Sequence, residues 1–252
     1  MWPKSIWANW YNLPGIDKNA FLDWLHGKYM PKILGNPGVL WAAHYKVEQK
    51  PTTHRITCTP DPKVGKGNDY ILLFGGESTH AFSRDALSFV RGTTDRWTVQ
   101  LSAEDKKMLG LRTDVRVSIM TEEARVQGPE CGQREGRRMP AQCIQMGSFN
   151  GPTPEIEEEL LAWYADWRMA SMAKMPGCLG MRKLSGTVGW NKHGVIYEFL
   201  STAARAAAVA QVPVLYPEME AWTNTSDQRA ETGACVRFAA RGGTDFCAGK
   251  VT

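Results

Sequence analysis

The chain has 252 residues, 43% hydrophobic and 22% charged, a composition that fits one large globular domain or two of roughly 100–125 residues each. Its net charge of +4 is spread along the sequence apart from "GQREGRR" (Gly132 to Arg138), so no basic stripe marks a nucleic-acid groove and no nucleic-acid partner is expected. No apolar run reaches the ~18 residues of a membrane span, and "MWPKSIWANW" lacks a signal-peptide pattern.

Six cysteines without a C-x-x-C pair point to reduced thiols in a cytoplasmic setting. Ten tryptophans call for large buried faces or an aromatic-lined cavity.

In chain order, "SIWANWYN" (Ser5 to Asn12) reads as a strand. Asp17 is placed to cap a helix through "FLDWLHGKYMPKIL", which a Pro-Gly turn joins to the strand "VLWAAHYKV" (Val39 to Val47). A polar loop carrying His54 leads to the strand "DYILLF" (Asp69 to Phe74). "GGESTHAFSRD", with His80 and a capping Ser83, then opens a helix around Arg84 to Arg91. "DVRVSIM" (Asp114 to Met120) is the next strand. Gly and charge then rise through Thr121 to Pro140, which is read as the join.

The order then recurs. A strand at Ala141 to Asn150 precedes Thr153-Pro154-Glu155, a helix start. The strands "CLGMRKL" (Cys178 to Leu184) and "VIYEFL" (Val195 to Leu200) are separated by "GWNKHG", where His193 reads as a surface turn. A helix at Ala203 to Val212 and a strand at Ala234 to Ala240 complete the second set.

With a constant shift of 139 residues, Trp24 meets Trp163, Met30 meets Met169, Pro37-Gly38 meets Pro176-Gly177, and Leu40 meets Leu179. Each half reads β-α-β-β-α-β, the ferredoxin-like order. Such a half covers one sheet face with helices and leaves the other open. The expected fold class is therefore α+β: two ferredoxin-like halves, residues 1–127 and 137–252 with 128–136 as linker, packed sheet to sheet as an α+β barrel within one chain.

"FLDWLHGKYMPKILGNPGVL" resembles the helix-turn segment of the dimeric α+β barrel superfamily, its EthD-like branch in particular. Phe21, Trp24, Pro31, Pro37 and Gly38 match its pattern, while Tyr29 stands where the family histidine is expected and His26 lies one turn earlier. The resemblance implies the tandem barrel. It also brings a range of activities: cofactor-free monooxygenases, muconolactone-type isomerases, polyketide cyclases, and haem enzymes of the chlorite dismutase type. One fold hosts many chemistries.

At 100° per residue, His26, Tyr29, Leu25, Ile33 and Met30 share the helix face that meets the sheet, and Trp24 points elsewhere. His26 and Tyr29, at i and i+3, are close enough to share a ligand. The second half has Ala165 and Arg168 on the same arc. On Val39 to Val47, His44 lies on one face and Trp41 and Tyr45 on the other, so one of His44 or Tyr45 points toward the pocket. An imidazole titrates near neutral pH and both takes and gives protons. The expected catalytic set is accordingly His26, Tyr29 and His44.

Trp24, Met30, Trp41, Tyr45, His80, Arg168 and Glu198 are the expected substrate contacts. Glu198, inside an apolar strand, needs a cation, which Arg182 or Arg168 supplies. There is no P-loop, no strand-linked G-x-G-x-x-G, no H-E-x-x-H and no G-x-S-x-G, and the histidines lack metal-site spacing. The expectation is a cofactor-independent acid–base enzyme of isomerase, lyase or cyclase type, with no metal. Its substrate would be a small aromatic-derived or lactone-like compound, with homodimerisation compatible with the fold. The alternatives are a non-catalytic EthD-like ligand-binding accessory protein, and a haem enzyme of the chlorite dismutase type using one axial histidine.

Overall fold

The computed structural model of the chain describes residues 4–15, 18–47, 63–67, 69–82, 101–134, 139–150, 153–215 and 235–241. The expected cap Asp17, the loop carrying His54, Ser83, and the helix at 84–91 lie outside the described residues.

The strands are β1 (Ser5–Asn12), β2 (Val39–Val47), β3 (Tyr70–Gly76), β4 (Thr113–Gln127), β5 (Cys143–Phe149), β6 (Cys178–Val188), β7 (His193–Phe199) and β8 (Cys235–Arg241). They close into an antiparallel barrel in the order β1-β3-β2-β8-β5-β7-β6-β4. One seam is long: β4 pairs with β6 from Ile119↔Val188 to Gln127↔Gly180. The other is short, with Lys46↔Arg241 and Val47↔Ala240 joining β2 to β8. Closure leaves no unpaired sheet edge between these strands. It also explains why Thr121–Gln127, read from the sequence as the start of the join, is strand: β1 takes one edge of β4 and β6 takes the other.

Alternation along each strand sorts the side chains into three cores. Ile6, Ala8, Trp10, Trp41, Ala43, Tyr45, Ile71, Leu73, Met120, Ile144, Met146, Leu184 and Ile196 fill the barrel. On the outside of the first half, Trp7, Tyr11, Ala42, Leu72 and Phe74 meet Phe21, Trp24, Leu25, Tyr29, Met30 and Ile33 of the helices. Phe149, Met181, Val195, Tyr197 and Phe199 do the same in the second half against Trp163, Tyr164 and Met172.

The helices are α1 (Lys18–Trp24), α2 (Met30–Leu34), α3 (Ala103–Leu109), α4 (Pro154–Trp163), α5 (Met169–Met172) and α6 (Thr202–Leu215). A π-helical turn at Leu25–Tyr29 joins α1 to α2, and another at Tyr164–Arg168 joins α4 to α5. Gly38 and Gly177 follow these helices with φ of +85° and +79°, a conformation that explains glycine at both turns. Each glycine also faces an alanine Cβ, of Ala81 and Ala204 respectively.

Two local expectations are corrected. Trp24 does not point away from the core; it is 3% exposed. A five-residue π turn shifts the phase of the wheel, and α3 covers the indole, whose Nε1 donates to Asp105 Oδ1 at 3.2 Å. Asp105 closes a capping box with Ser102 at the start of α3 and accepts Lys32 Nζ at 2.7 Å. His193 is not in a surface turn. It opens β7, buried against Phe149 with ring centroids 5.5 Å apart.

Candidate functional site

The site grows from the outer face of β1, β2 and β3. His44 lies beside Ala42 on the helix side, and Trp41 and Tyr45 lie on the barrel side. His44 pairs with Leu72, and Tyr70 pairs with both Lys46 and Tyr11. Tyr11, His44 and Tyr70 therefore form one aromatic patch: His44 and Tyr70 are 5.2 Å apart, and Tyr11 and Tyr70 are 5.6 Å apart.

Above the patch the π turn carries His26. π turns are frequent at functional sites because they re-aim a side chain without ending the helix. Here the result is a continuous hydrogen-bonded chain. Tyr11 Oη is 2.7 Å from His44 Nε2, and His44 Nδ1 is 2.9 Å from His26 Nε2. The chain leads from a fully buried phenol through a buried imidazole to a half-buried one.

Burial sets the protonation states. Removing Tyr11 from water pushes its phenol well above the ordinary range, with Arg112 opposing the shift, so the group stays protonated. Burial, with His26 adding to it, holds His44 well below its usual value, so it is a neutral imidazole. Burial also lowers His26, opposed by Asp23. A neutral His44 that accepts at Nε2 carries its proton on Nδ1 and donates to His26 Nε2. With one N–H on a neutral His44, the donors run in one direction along the chain, from Tyr11 toward His26 or the reverse. Arg112 stands 5.8 Å from the Tyr11 ring, steadied by a 2.6 Å hydrogen bond to Asn9 Oδ1.

Of the expected catalytic set, His26 and His44 are brought together, and the third link of the chain is Tyr11. Tyr29 is fully buried with its ring on Trp24, centroids 5.0 Å apart, and Met30 lies in the same core. Trp41 and Tyr45 face the barrel interior, across the sheet from His44; the Tyr45 hydroxyl donates to Ala141 O at 2.8 Å. His80 is exposed in a 3₁₀ turn, Thr79–Phe82, beyond the Gly76 end of β3, whereas Tyr70 beside His44 begins that strand.

Arg168 lies outside the second half, donating from Nε to the Tyr197 hydroxyl at 3.0 Å with its guanidinium 4.7 Å from that ring. Glu198 is the next residue along β7 and so faces the barrel. Its cations are Arg182, 3.0 Å away, and Arg134, 2.5 Å away, and the Ala141 N–H also donates to it. Arg168 is therefore not its partner. Tyr11, Tyr70 and Arg112 were not singled out by the sequence. The alternation Trp7, Asn9, Tyr11 was a signal that a second polar aromatic shared the helix side with His44.

No family model and no curated protein matches the chain. Solved structures do resemble it. An anthrone oxidase-like protein superposes with TM-score 0.60 at 10% identity, over 95% of this chain and 91% of that one. A candidate monooxygenase from Fusobacterium nucleatum gives 0.57 at 9%, over 96% and 93%. A candidate chlorite dismutase gives 0.51 at 11%, over the whole of both chains. The likeness is one of fold, a closed antiparallel α+β barrel.

These neighbours correct the functional expectation. They carry the names of oxidative enzymes, monooxygenase, anthrone oxidase-like and chlorite dismutase, and not of a cofactor-independent isomerase, lyase or cyclase. The sequence also admitted a haem with an axial histidine. His44 does not fit that role, because both of its nitrogens are engaged, one by Tyr11 and one by His26. Among the described residues no group of three or more His, Cys, Asp and Glu is placed to hold a metal, and no helix is long and apolar enough to cross a membrane.

Proposed function

We propose that the chain is an oxidative enzyme of the monooxygenase type. In this reading the Tyr11–His44–His26 chain removes a proton from a small organic substrate while molecular oxygen takes the electrons. The one observation that carries this is the unidirectional hydrogen-bonded chain from a buried phenol to a half-buried imidazole. Oxidising a C–H or O–H bond requires an exit for protons as well as electrons, and a positioned acid–base relay supplies the first.

A substrate donor against Tyr11 Oη gives its proton to that oxygen as Tyr11 passes its own to His44 Nε2. His44 passes the Nδ1 proton to His26 Nε2, and His26, on the solvent side, releases one to water. The guanidinium of Arg112 favours the anion left at the Tyr11 end. For a doubly benzylic CH₂ the balance is R₂CH₂ + O₂ → R₂C=O + H₂O, with carbon oxidised and oxygen reduced to water. The name of the anthrone oxidase-like neighbour supports this substrate class.

The decisive assay is oxygen uptake with anthrone-type substrates, comparing wild type with His44→Phe and His26→Phe. Uptake coupled to ketone or quinone formation, lost in His44→Phe, is the expected result. Equal uptake in all three proteins would remove the relay from the reaction.

The EthD-like tandem organisation, with halves at 1–127 and 137–252, is part of the same proposal. The π turns Leu25–Tyr29 and Tyr164–Arg168, and the positive-φ glycines Gly38 and Gly177, stand at the same 139-residue shift as the sequence identities. The strand orders β4-β1-β3-β2 and β8-β5-β7-β6 are alike. A π turn is an uncommon feature, so its recurrence at one fixed offset supports a duplication.

A further inference from the structure

The barrel interior carries polar groups that the proposed relay does not use. Arg182 and Glu198 face it from β6 and β7, each flanked by residues of the outer core, Met181 on one strand and Tyr197 and Phe199 on the other. Arg182 is 1% exposed and Glu198 2%. Arg182 Nε donates to Glu198 Oε1, while Arg134 Nη1 and the Ala141 N–H donate to Glu198 Oε2. One carboxylate thus serves two guanidiniums. Among the described residues, Arg182, Arg134 and Glu198 together carry one more positive than negative charge.

Both remaining nitrogens of Arg182, Nη1 and Nη2, are buried without a hydrogen-bond partner among the described residues. So are Trp10 Nε1, Trp41 Nε1 and Ser148 Oγ, three more groups on barrel-facing positions. Guanidinium and indole nitrogens only donate, and buried donors left unmatched are costly. What they lack is an acceptor. A water molecule supplies an acceptor but not the missing charge.

We propose that the barrel interior is a binding site for a small monocarboxylate, held on the Nη1–Nη2 fork of Arg182. Two parallel N–H donors bond to one carboxylate in the geometry for which guanidinium is suited, and its charge neutralises the cluster. The site lies across the sheet from the Tyr11–His44–His26 chain and does not depend on the oxidative reading.

Two measurements on the full chain test it together. Mass spectrometry of the acids released on denaturation asks whether a carboxylate copurifies. Calorimetric titration of extensively dialysed protein with benzoate, against neutral benzamide, asks whether the site takes one up. A carboxylate released in stoichiometric amount, or benzoate bound and benzamide not, is the expected result.

Arg182→Gln leaves Glu198 paired with Arg134 and Ala141 N–H, and should weaken carboxylate binding at least about tenfold, the loss of a charge-assisted hydrogen bond. Should that variant fail to fold, side-chain arginine NMR of the wild type during the titration reads the same contact, as a shift of a buried guanidinium resonance. No released acid together with no benzoate binding overturns the proposal. So does binding that is equal for benzamide, or undiminished in a folded Arg182→Gln.

Discussion

Tyr11→Phe is the sharpest perturbation of the candidate site. It deletes one oxygen and keeps the ring that packs on Phe21 and Tyr70. The 2.7 Å bond to His44 Nε2 is lost, and the nitrogen left behind belongs to a side chain only 2% exposed. A neutral buried hydrogen bond contributes about 0.5–1.5 kcal/mol net, and an acceptor left unsatisfied costs about 1–3 kcal/mol. The expected loss of stability is therefore about 1–3 kcal/mol, read as a lower midpoint in urea with an unchanged slope. At this chain length each kcal/mol lowers Tm by about 2–4 °C.

Oxygen uptake should fall by a larger factor, about 10²–10⁴, the usual contribution of a positioned acid–base group. The double variant Tyr11→Phe/His44→Phe separates local damage from coupling, because two groups in one hydrogen-bonded chain should show about 0.5–3 kcal/mol of non-additivity. A Tyr11→Phe protein as stable and as active as wild type, with no coupling to His44, would falsify the hydrogen-bonded chain itself.

Four further outcomes follow from the same structure. His44 is held neutral when folded but binds a proton when unfolded, so its contribution is fully present above the unfolded value near pH 6.5. Below that value it is lost by up to about 1.4 kcal/mol per pH unit until the folded pKa is reached. Denaturant midpoints at a series of pH values should show the slope, and His44→Phe should remove one proton's worth of it. Asp105→Ala removes a capping box and strands the buried Trp24 indole; a loss of about 2 kcal/mol or more is expected from thermal melts. Gly75→Ala places a Cβ 2.0 Å from the Trp41 ring, overpacking that costs about 1–3 kcal/mol or more and should blue- or red-shift tryptophan emission. Glu198→Gln leaves two guanidiniums without their carboxylate and should cost about 3–5 kcal/mol in urea titrations.

The strands were legible because their alternation is strong: β1 and β2 coincide with the sequence reading, and β7 differs from it by its polar first residues, His193 and Gly194, and by Leu200, which lies beyond its end. α3 was invisible because a seven-residue amphipathic piece after a long polar stretch has too few apolar positions to show a period. His26 and His44 were legible as candidates on facing surfaces of a helix and a strand. Which strand face met the helix was not, since β2 is apolar on both. Tyr11 was hidden for a related reason: in "SIWANWYN" both faces carry aromatics, and only the pairing Tyr11↔Tyr70 puts it beside His44.

The two halves also explain why the relay is confined to one of them. His44 and Lys183 stand at the 139-residue shift, and the registers of their strands correspond: Lys46 pairs with Tyr70 as Ser185 pairs with His193. Tyr70 is cross-strand from Tyr11, and His193 is cross-strand from Phe149. The second half therefore has a lysine in place of His44, a phenylalanine without a hydroxyl in place of Tyr11, and Ala165 in place of His26. Lys183 is neutralised by Glu123 at 2.5 Å, and Glu123 also accepts from Ser185. Each link of the first half's hydrogen-bonded chain is replaced there by a fixed ion pair, an apolar ring or a methyl group. In the proposed duplication, the second half keeps the π turn and the barrel strands while the first alone holds a chain of exchangeable protons. Installing the relay in the second half would require at least Lys183→His, Phe149→Tyr and Ala165→His together, because any one of them alone lacks its hydrogen-bond partner.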